Sequence, residues 1–270
     1  MKKIVSIQDI SCYGQCSLTV ALPILSAYGI ETAILPSAIL STHTSGFSNF
    51  TCLDLTDEMP AIVNHWIDEG ITFDAIYTGY IGDTRQFDLI NSTKSQILKE
   101  DGLFIVDPAM ADHGKLYPAL NEDIVAGMRS IVKEADIILP NLTEAAFLLD
   151  IPYNENYNKD DIKDILVKLS EMGPKISILT GVSFKDGELG AIAYNKETGE
   201  YVSYFAEKIS KSYHGTGDVF SSVAVANLVN GTSVENALQN ACEFVVKSIK
   251  NTLADTTHNY GVKFESVLAE

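Results

Sequence analysis

The feature that most constrains this chain is an alternation. Short, nearly unbroken apolar runs are each followed by a longer stretch with helical periodicity. "KKIVSIQ", "ETAILPS", "FDAIYTG", "LFIVDP", "DIILPN" and "KISILTG" read as strands. Between them "SLTVALPILSAYG", "DEMPAIVNHWIDEG", "TRQFDLINSTKSQILKEDG", "NEDIVAGMRSIVKEA" and "DDIKDILVKLSEMG" read as helices. The first should close at Gly29, and the second should carry acids in its first turn and close at Gly70. A strand that is apolar on both sides must be covered on both faces, and a helix after each strand supplies that cover. The pattern therefore predicts an α/β chain with a mostly parallel central sheet between two helical layers. "LGAIAYN" and "EYVSYFAE" flank the turn-like "KETGE" and predict a small antiparallel hairpin. Two further helices, "DVFSSVAVANLVNG" and "SVENALQNACEFVVKSIKNT", follow. No linker, repeat or low-complexity segment interrupts the pattern, so residues 1–270 are expected to form one domain with a substantial core.

The formal net charge of −17 argues against binding the nucleic-acid backbone, which needs clustered Lys and Arg. It leaves a small nucleotide open, because a local site can be positive inside an acidic protein. The four cysteines, Cys12, Cys16, Cys52 and Cys242, form no Cys-x-x-Cys pair. They read as isolated reduced thiols of a cytosolic protein. "MKKIVSIQDI" lacks a signal-peptide core, and no apolar run approaches the ~20 residues of a membrane span. A soluble, cytoplasmic protein is the expectation, with no membrane or nucleic-acid partner.

In open α/β sheets, ligands sit beyond the carboxyl ends of the strands. That rule alone selects Gln8 and Asp9, Gly79 and Tyr80, Asp107, Asn141, and Thr180 and Gly181. Four stretches near these positions carry chemistry, each with a plainer alternative. In "YHGTGDVF" a glycine turn runs into a helix, whose first N–H groups and dipole suit a phosphate or a developing negative charge. Asp218 beside it is either a proton acceptor or a helix cap. In "LPNLTEAAFLL", Asn141 and Glu144 either hold Mg²⁺ through water or cap a helix. In "IVDPAMADHGKLY", Asp107 and Asp112 are either cation ligands or turn residues. The long polar loop "LSTHTSGFSNF" places His43 and Thr44 either against a polar heterocycle or in solvent. No P-loop and no Gly-x-Gly-x-x-Gly after the first strand are present.

The order of these pieces is more specific than any one of them. "SIQD", "LSTHTSG", "YTGYIGD", "VDPAM", "LPNLTEAA" and "YHGTGDVF" follow one another along essentially the whole chain. In that order they resemble the ribokinase-like superfamily and, within it, the pyridoxal kinases of vitamin B6 salvage. The resemblance implies ATP-dependent phosphorylation of the 5′-hydroxymethyl group of a B6 vitamer. It implies Asp218 as the catalytic base and Gly215, Thr216 and Gly217 as the anion hole for the γ-phosphoryl group. Asn141 and Glu144 would organise Mg²⁺ and the ATP phosphates. Asp107 and Asp112 would lie near the phosphates or a monovalent cation such as K⁺. Thr180 and Gly181 would approach the phosphates or ribose, and His43, Thr44 and Tyr80 would line the pyridine pocket. Such kinases resemble one another in being homodimers, so a homodimer is expected.

One position departs from the pattern. Pyridoxal kinases usually have Ser after Ile-Gln, and here it is Asp9. A carboxylate there rewards a positive partner, such as a protonated ring nitrogen or the 4′-aminomethyl of pyridoxamine. Its alternative is a bond to the protein itself. The runner-up substrate class is the hydroxymethylpyrimidine of thiamine synthesis, whose kinases carry a Gly- and Ala-rich segment where this chain has "SCYGQCS". Sugar kinases usually carry a longer β lid. A non-catalytic nucleotide-binding protein of the same fold could lose Asp218 without cost.

Overall fold

Side chains along the first strand point alternately to opposite sides: Ile4 joins one hydrophobic core, Val5 and Ile7 the other. The same alternation recurs at Ala75 and Ile76, at Ile105 and Val106, and at Ile178 and Leu179. A sheet with two apolar faces needs two helical layers, and the computed structural model has both. It describes residues 1–44, 46–118 and 120–269.

Along the chain the elements are β1 (Lys3–Ser11), α1 (Leu18–Ala27), β2 (Glu31–Leu40), β3 (Cys52–Asp54), α2 (Met59–Asp68) and β4 (Phe73–Thr78). Then come α3 (Thr84–Ile97), β5 (Leu98–Val106), β6 (Ala111–Asp112), β7 (Lys115–Leu116), α4 (Glu122–Val132), β8 (Ile137–Ile138) and α5 (Leu142–Leu149). The last are α6 (Lys159–Glu171), β9 (Ile176–Val182), β10 (Glu188–Asn195), β11 (Glu200–Glu207), α7 (Thr216–Val229), α8 (Val234–Leu253) and α9 (Glu265–Leu268). Among the described residues the main sheet runs β11-β10-β9-β8-β5-β4-β1-β2-β3. Its centre, from β9 to β2, is parallel, and antiparallel strands close both edges. This is the ribokinase-like α/β architecture.

The predicted hairpin is present, and β10 also pairs with β9, so it extends the main sheet. Three local expectations need correcting. The acids before α2 lie outside its first turn, because the helix starts at Met59 with Glu58 as its N-cap. "LKEDG" belongs to β5 and not to the end of α3. Lys and Glu favour helices intrinsically, but Leu98 before them and Leu103 after them pair with β4, with an irregularity between, and hold the stretch extended against that weak preference. Finally, the polar loop after β2 ends in β3, whose residues are all exposed and so lack a strand's apolar signature.

The helix after the glycine turn explains its own sequence. Every residue of α7 from Val219 to Val229 is buried. A helix with apolar residues on every side and only Ser221, Ser222 and Asn227 as buried polar exceptions must lie inside, and α7 lies against α1 and α8. That depth carries its first turn to the carboxyl ends of the central strands.

Candidate active site

The strand ends converge on one cleft of about 430 Å³. Asp9 enters it from β1, at the point where the β1–β2 ladder slips by one residue. Such an irregularity re-aims a side chain. His43 and Thr44 come from the loop after β2, Tyr80 from the end of β4, Asp107 from the end of β5, and Asp112 from β6. Asn141 and Glu144 open α5, Thr180 lies on β9, and Gly215, Thr216, Gly217 and Asp218 open α7. Of the site residues singled out from the sequence, three lie outside the lining: Gln8, buried and bonded to Ser6 Oγ, Gly79 beside it, and Gly181, exposed beyond Thr180 at φ 72°.

The glycine turn is built to be open. Gly215 is the N-cap of α7 at φ 77°, and no side chain caps that end. Only glycine fits there, since a β-carbon would strike the carbonyl of Gln15. Gly217 obeys a different logic. A β-carbon on it would meet nothing within 4 Å, so glycine leaves room for a ligand rather than for the protein. Asp218 sits in the first turn but is not its cap. Its carboxylate accepts hydrogen bonds from the backbone N–H of Ser17 and from the Cys16 thiol. Burial, with Asp9's charge behind it, pushes its pKa up to about 6.

The opening of α5 is sealed instead. Asn141 Oδ1 accepts from the N–H groups of Thr143 (2.8 Å) and Glu144 (2.9 Å). Glu144 Oε2 accepts from Asn141 N–H at 2.8 Å, and Oε1 from Met110 N–H at 3.3 Å. The capping alternative therefore holds for this pair, and both residues still line the cleft. Glu144 and Asp107 are buried, at 3% and 7% exposure. Burial pushes the Asp107 pKa up to about 7, helped by the charge of Asp218. Burial and then Asp107's charge hold Glu144 well above the usual carboxylate range. Two buried carboxylates whose proton affinity is raised by burial and by neighbouring negative charge fit a cation. Among the described residues no group of three or more His, Cys, Asp or Glu side chains forms a closed metal site. Buried carboxylate oxygens with an amide beside them are the hard oxygen donors that Mg²⁺ accepts alongside water. Asp112 is exposed on the β6–β7 hairpin and accepts from the N–H of His113 at 2.8 Å.

At the other end of the cleft, His43 is buried and not solvated. Its ring lies 4.9 Å from Phe47 and 5.7 Å from His214, centroid to centroid. Burial, with His214 beside it, lowers its pKa and keeps it neutral. Burial and the nearby Asp9 push Tyr80 up to about 12, so it stays a phenol. Asp9 is 5% exposed and accepts from Ser11 Oγ at 3.3 Å and from the Ser17 hydroxyl. Burial raises its pKa against those bonds.

Of the lining residues that escaped the sequence reading, three bear on the chemistry. Cys16, read as an isolated thiol, hydrogen-bonds the Asp218 carboxylate; burial and that charge lift its pKa well above the thiol range. Ser17 holds φ 54° and ψ −130°, a region non-glycine residues rarely enter, while bonding Asp9 and Asp218 at once. Tyr117 stands among Glu144, Asp218, Asp112 and Asp107, and burial with those charges raises its hydroxyl pKa. The ψ of Ser17 leaves no sequence signal. Tyr117 shares its loop with Asp112, the only available hint.

An open helix N-terminus beside a carboxylate, at the carboxyl edge of this sheet, defines a ribokinase-like phosphotransferase. Residues 24–263 match the phosphomethylpyrimidine kinase family, and the chain belongs to it. It is a kinase. A Bacteroides thetaiotaomicron protein assigned as a phosphomethylpyrimidine kinase, solved in a crystal form with pyridoxal, is similar at 38% identity. That match covers 99% of this chain and 94% of the other, with a TM-score of 0.95. The pyridoxal kinase of Lactobacillus plantarum is 31% identical over 100% of this chain and 96% of its own, with a TM-score of 0.91. A curated pyridoxal kinase of Histophilus somni is 28% identical over 271 residues, 97% of this chain and 91% of that relative.

Proposed function

We propose that this kinase transfers the γ-phosphoryl group of ATP to the 5′-hydroxymethyl group of a B6 vitamer, in salvage of pyridoxal 5′-phosphate. The observation that carries the reading is the uncapped Gly215–Gly217 turn with Asp218 beside it. The N–H groups there and the helix dipole meet the charge on the transferring phosphoryl group. Asp218 accepts the hydroxyl proton as the new O–P bond forms and the bond to the β-phosphate oxygen breaks, releasing ADP. Asp107, Glu144 and Asn141 would hold Mg²⁺, which when bound offsets the charge of the phosphates. Asp112 and a monovalent cation such as K⁺ belong to the same end. Thr180 faces the nucleotide, with Gly181 at the rim. His43, Thr44 and Tyr80 form the pyridine pocket. Asp9 faces the 4′ substituent or the ring nitrogen and favours pyridoxamine.

The relatives that share most of this chain support B6, since two of the three are pyridoxal kinases and the third was crystallised with pyridoxal. The family match favours a second reading, phosphorylation of hydroxymethylpyrimidine. An ATP-dependent assay against pyridoxal, pyridoxamine, pyridoxine and hydroxymethylpyrimidine in parallel decides. Turnover of the pyrimidine alone would overturn the B6 reading. We further take residues 1–270 as one kinase domain, supported by a sheet that runs unbroken from β3 to β11. A cytoplasmic homodimer completes the reading: the four cysteines are free thiols, which suits a reducing compartment. Among the described residues no helix is long and apolar enough to cross a membrane.

A further inference from the structure

Residue 15 stands at a junction. The backbone N–H of Gln15 donates to the Tyr260 carbonyl at 3.0 Å. Its side-chain Nε2 donates to Glu265 Oε1 at 2.6 Å, and its Oε1 lies 3.3 Å from His258 Nε2. Burial lowers the His258 pKa, so the ring is neutral and Nε2–H is the donor that this amide oxygen needs. All these ties run to residues 258–265. That segment is itself anchored. Val262 and Phe264 are buried in the core, the Lys263 N–H donates to Thr252 Oγ1 at 2.8 Å, and the Lys263 ammonium meets Asp255 at 2.7 Å. The Tyr260 ring also packs at a tilt against His258, 4.1 Å between centroids, and against Tyr13 at 4.7 Å, clamping the loop further.

On its opposite side, the Gln15 carbonyl fills the space a side chain on Gly215 would need. The turn that opens α7 rests on the backbone of residue 15. Gln15 itself does not line the cleft, and its side chain is engaged with Glu265 and His258 instead.

We propose that Gln15 is a positioning residue: held by Glu265 and His258, it fixes the Gly215 turn and so the aim of the N–H groups that receive the phosphoryl group. The proposal rests on reading that turn as the anion hole. Such donors work only when they stand in place before the charge arrives, and a displacement well under a bond length weakens them. The segment 258–265 thereby acts as a buttress for chemistry it never touches.

The test uses the full chain and whichever of the four heterocycles the wild type phosphorylates best, so a misassigned substrate does not disturb it. Gln15→Ala removes the side-chain ties and keeps the N–H and carbonyl. Its kcat should fall about tenfold. KM for ATP and for the acceptor should stay within about twofold, since the loss lies in the transition state. The Tm should barely move. Gln15→Glu sets two carboxylates face to face and should lose as much. Adding Glu265→Gln to it restores an amide–carboxylate pair in reverse order and should recover most of the rate. An unchanged kcat in Gln15→Ala, or no recovery in the double variant, overturns the proposal. If Gln15→Ala does not fold, the Gln15→Glu and Glu265→Gln pair still decides. Failure of the anion-hole reading shows separately, as full activity in Gly215→Ala.

Discussion

Two helices open into the same cleft and are finished in opposite ways. Each has a small residue at its N-cap and an acid three residues on: Asn141 with Glu144 in α5, Gly215 with Asp218 in α7. In α5 the acid reaches back to the cap's own N–H, and the cap's side chain accepts from the N–H groups of Thr143 and Glu144. In α7 the cap has no side chain, and the acid bonds instead to Ser17 and Cys16. Identical spacing thus yields a closed end and an open one. The closed end presents carboxylate and suits a cation. The open end presents free N–H groups and suits an anion. Phosphoryl transfer needs both within one cleft.

The sharpest way to break this contrast is at Asp218. If it is the base, Asp218→Asn should lower kcat by about 10³-fold. ATP binding, followed by calorimetry, should stay nearly unchanged. Full activity in the variant would sink the assignment. Next in size is Gly215→Ala, which adds a β-carbon against the Gln15 carbonyl at a positive φ. The turn must shift, and loss of aligned donors should lower kcat by about 10²-fold. Wild-type kcat there would show that the open end is not used.

The closed end should answer differently. Asn141→Ala removes the cap, which should destabilise the protein by about 1 kcal/mol, read from urea or thermal unfolding. It also frees the Ala111 carbonyl from its 2.9 Å bond with Asn141 Nδ2, loosening the hairpin that carries Asp112. The expected kinetic sign is a raised Mg²⁺ requirement with a smaller fall in kcat than either α7 variant. A loss of rate as large as that of Asp218→Asn would erase the distinction between the two ends.

What could be read from the sequence follows the same physics. Strand ends were legible because apolar runs stop where polar residues begin: Tyr80, Asp107 and Asn141 follow such stops, while Asp9 and Thr180 mark the end of the apolar run although β1 and β9 continue to Ser11 and Val182. The α7 turn was legible as glycine punctuation, but not whether Asp218 caps it, because capping depends on which donors arrive from elsewhere. Ser17 and Cys16 arrive from the loop after β1, and their placement is set by contacts far along the chain. The edge strand β3 and the early start of β5 were hidden for a related reason. Sheet pairing decides both, against local composition that reads as loop and helix.

Asp9 carries the smallest effect and the finest discrimination. Its carboxylate already accepts bonds from two serine hydroxyls, so the protein satisfies it without substrate. Yet it faces the cleft, and no Lys or Arg is among the described residues lining it. An ammonium is the partner this arrangement lacks. Asp9→Ser should therefore lower the pyridoxamine-to-pyridoxal ratio of kcat/KM by about tenfold, the worth of one modest charged hydrogen bond. The same variant tests a second consequence. Asp218 works as a base when ionised, and its pKa of about 6 places the acid limb of kcat/KM near that pH. Asp9's charge is one cause of the upward shift, after burial. Removing it should move the limb to lower pH, so that more activity survives in mild acid. A limb that stays put while the vitamer ratio falls would separate Asp9 from the base, leaving it as a contact for the substrate alone. An unchanged ratio would mean that the two serines already absorb its charge.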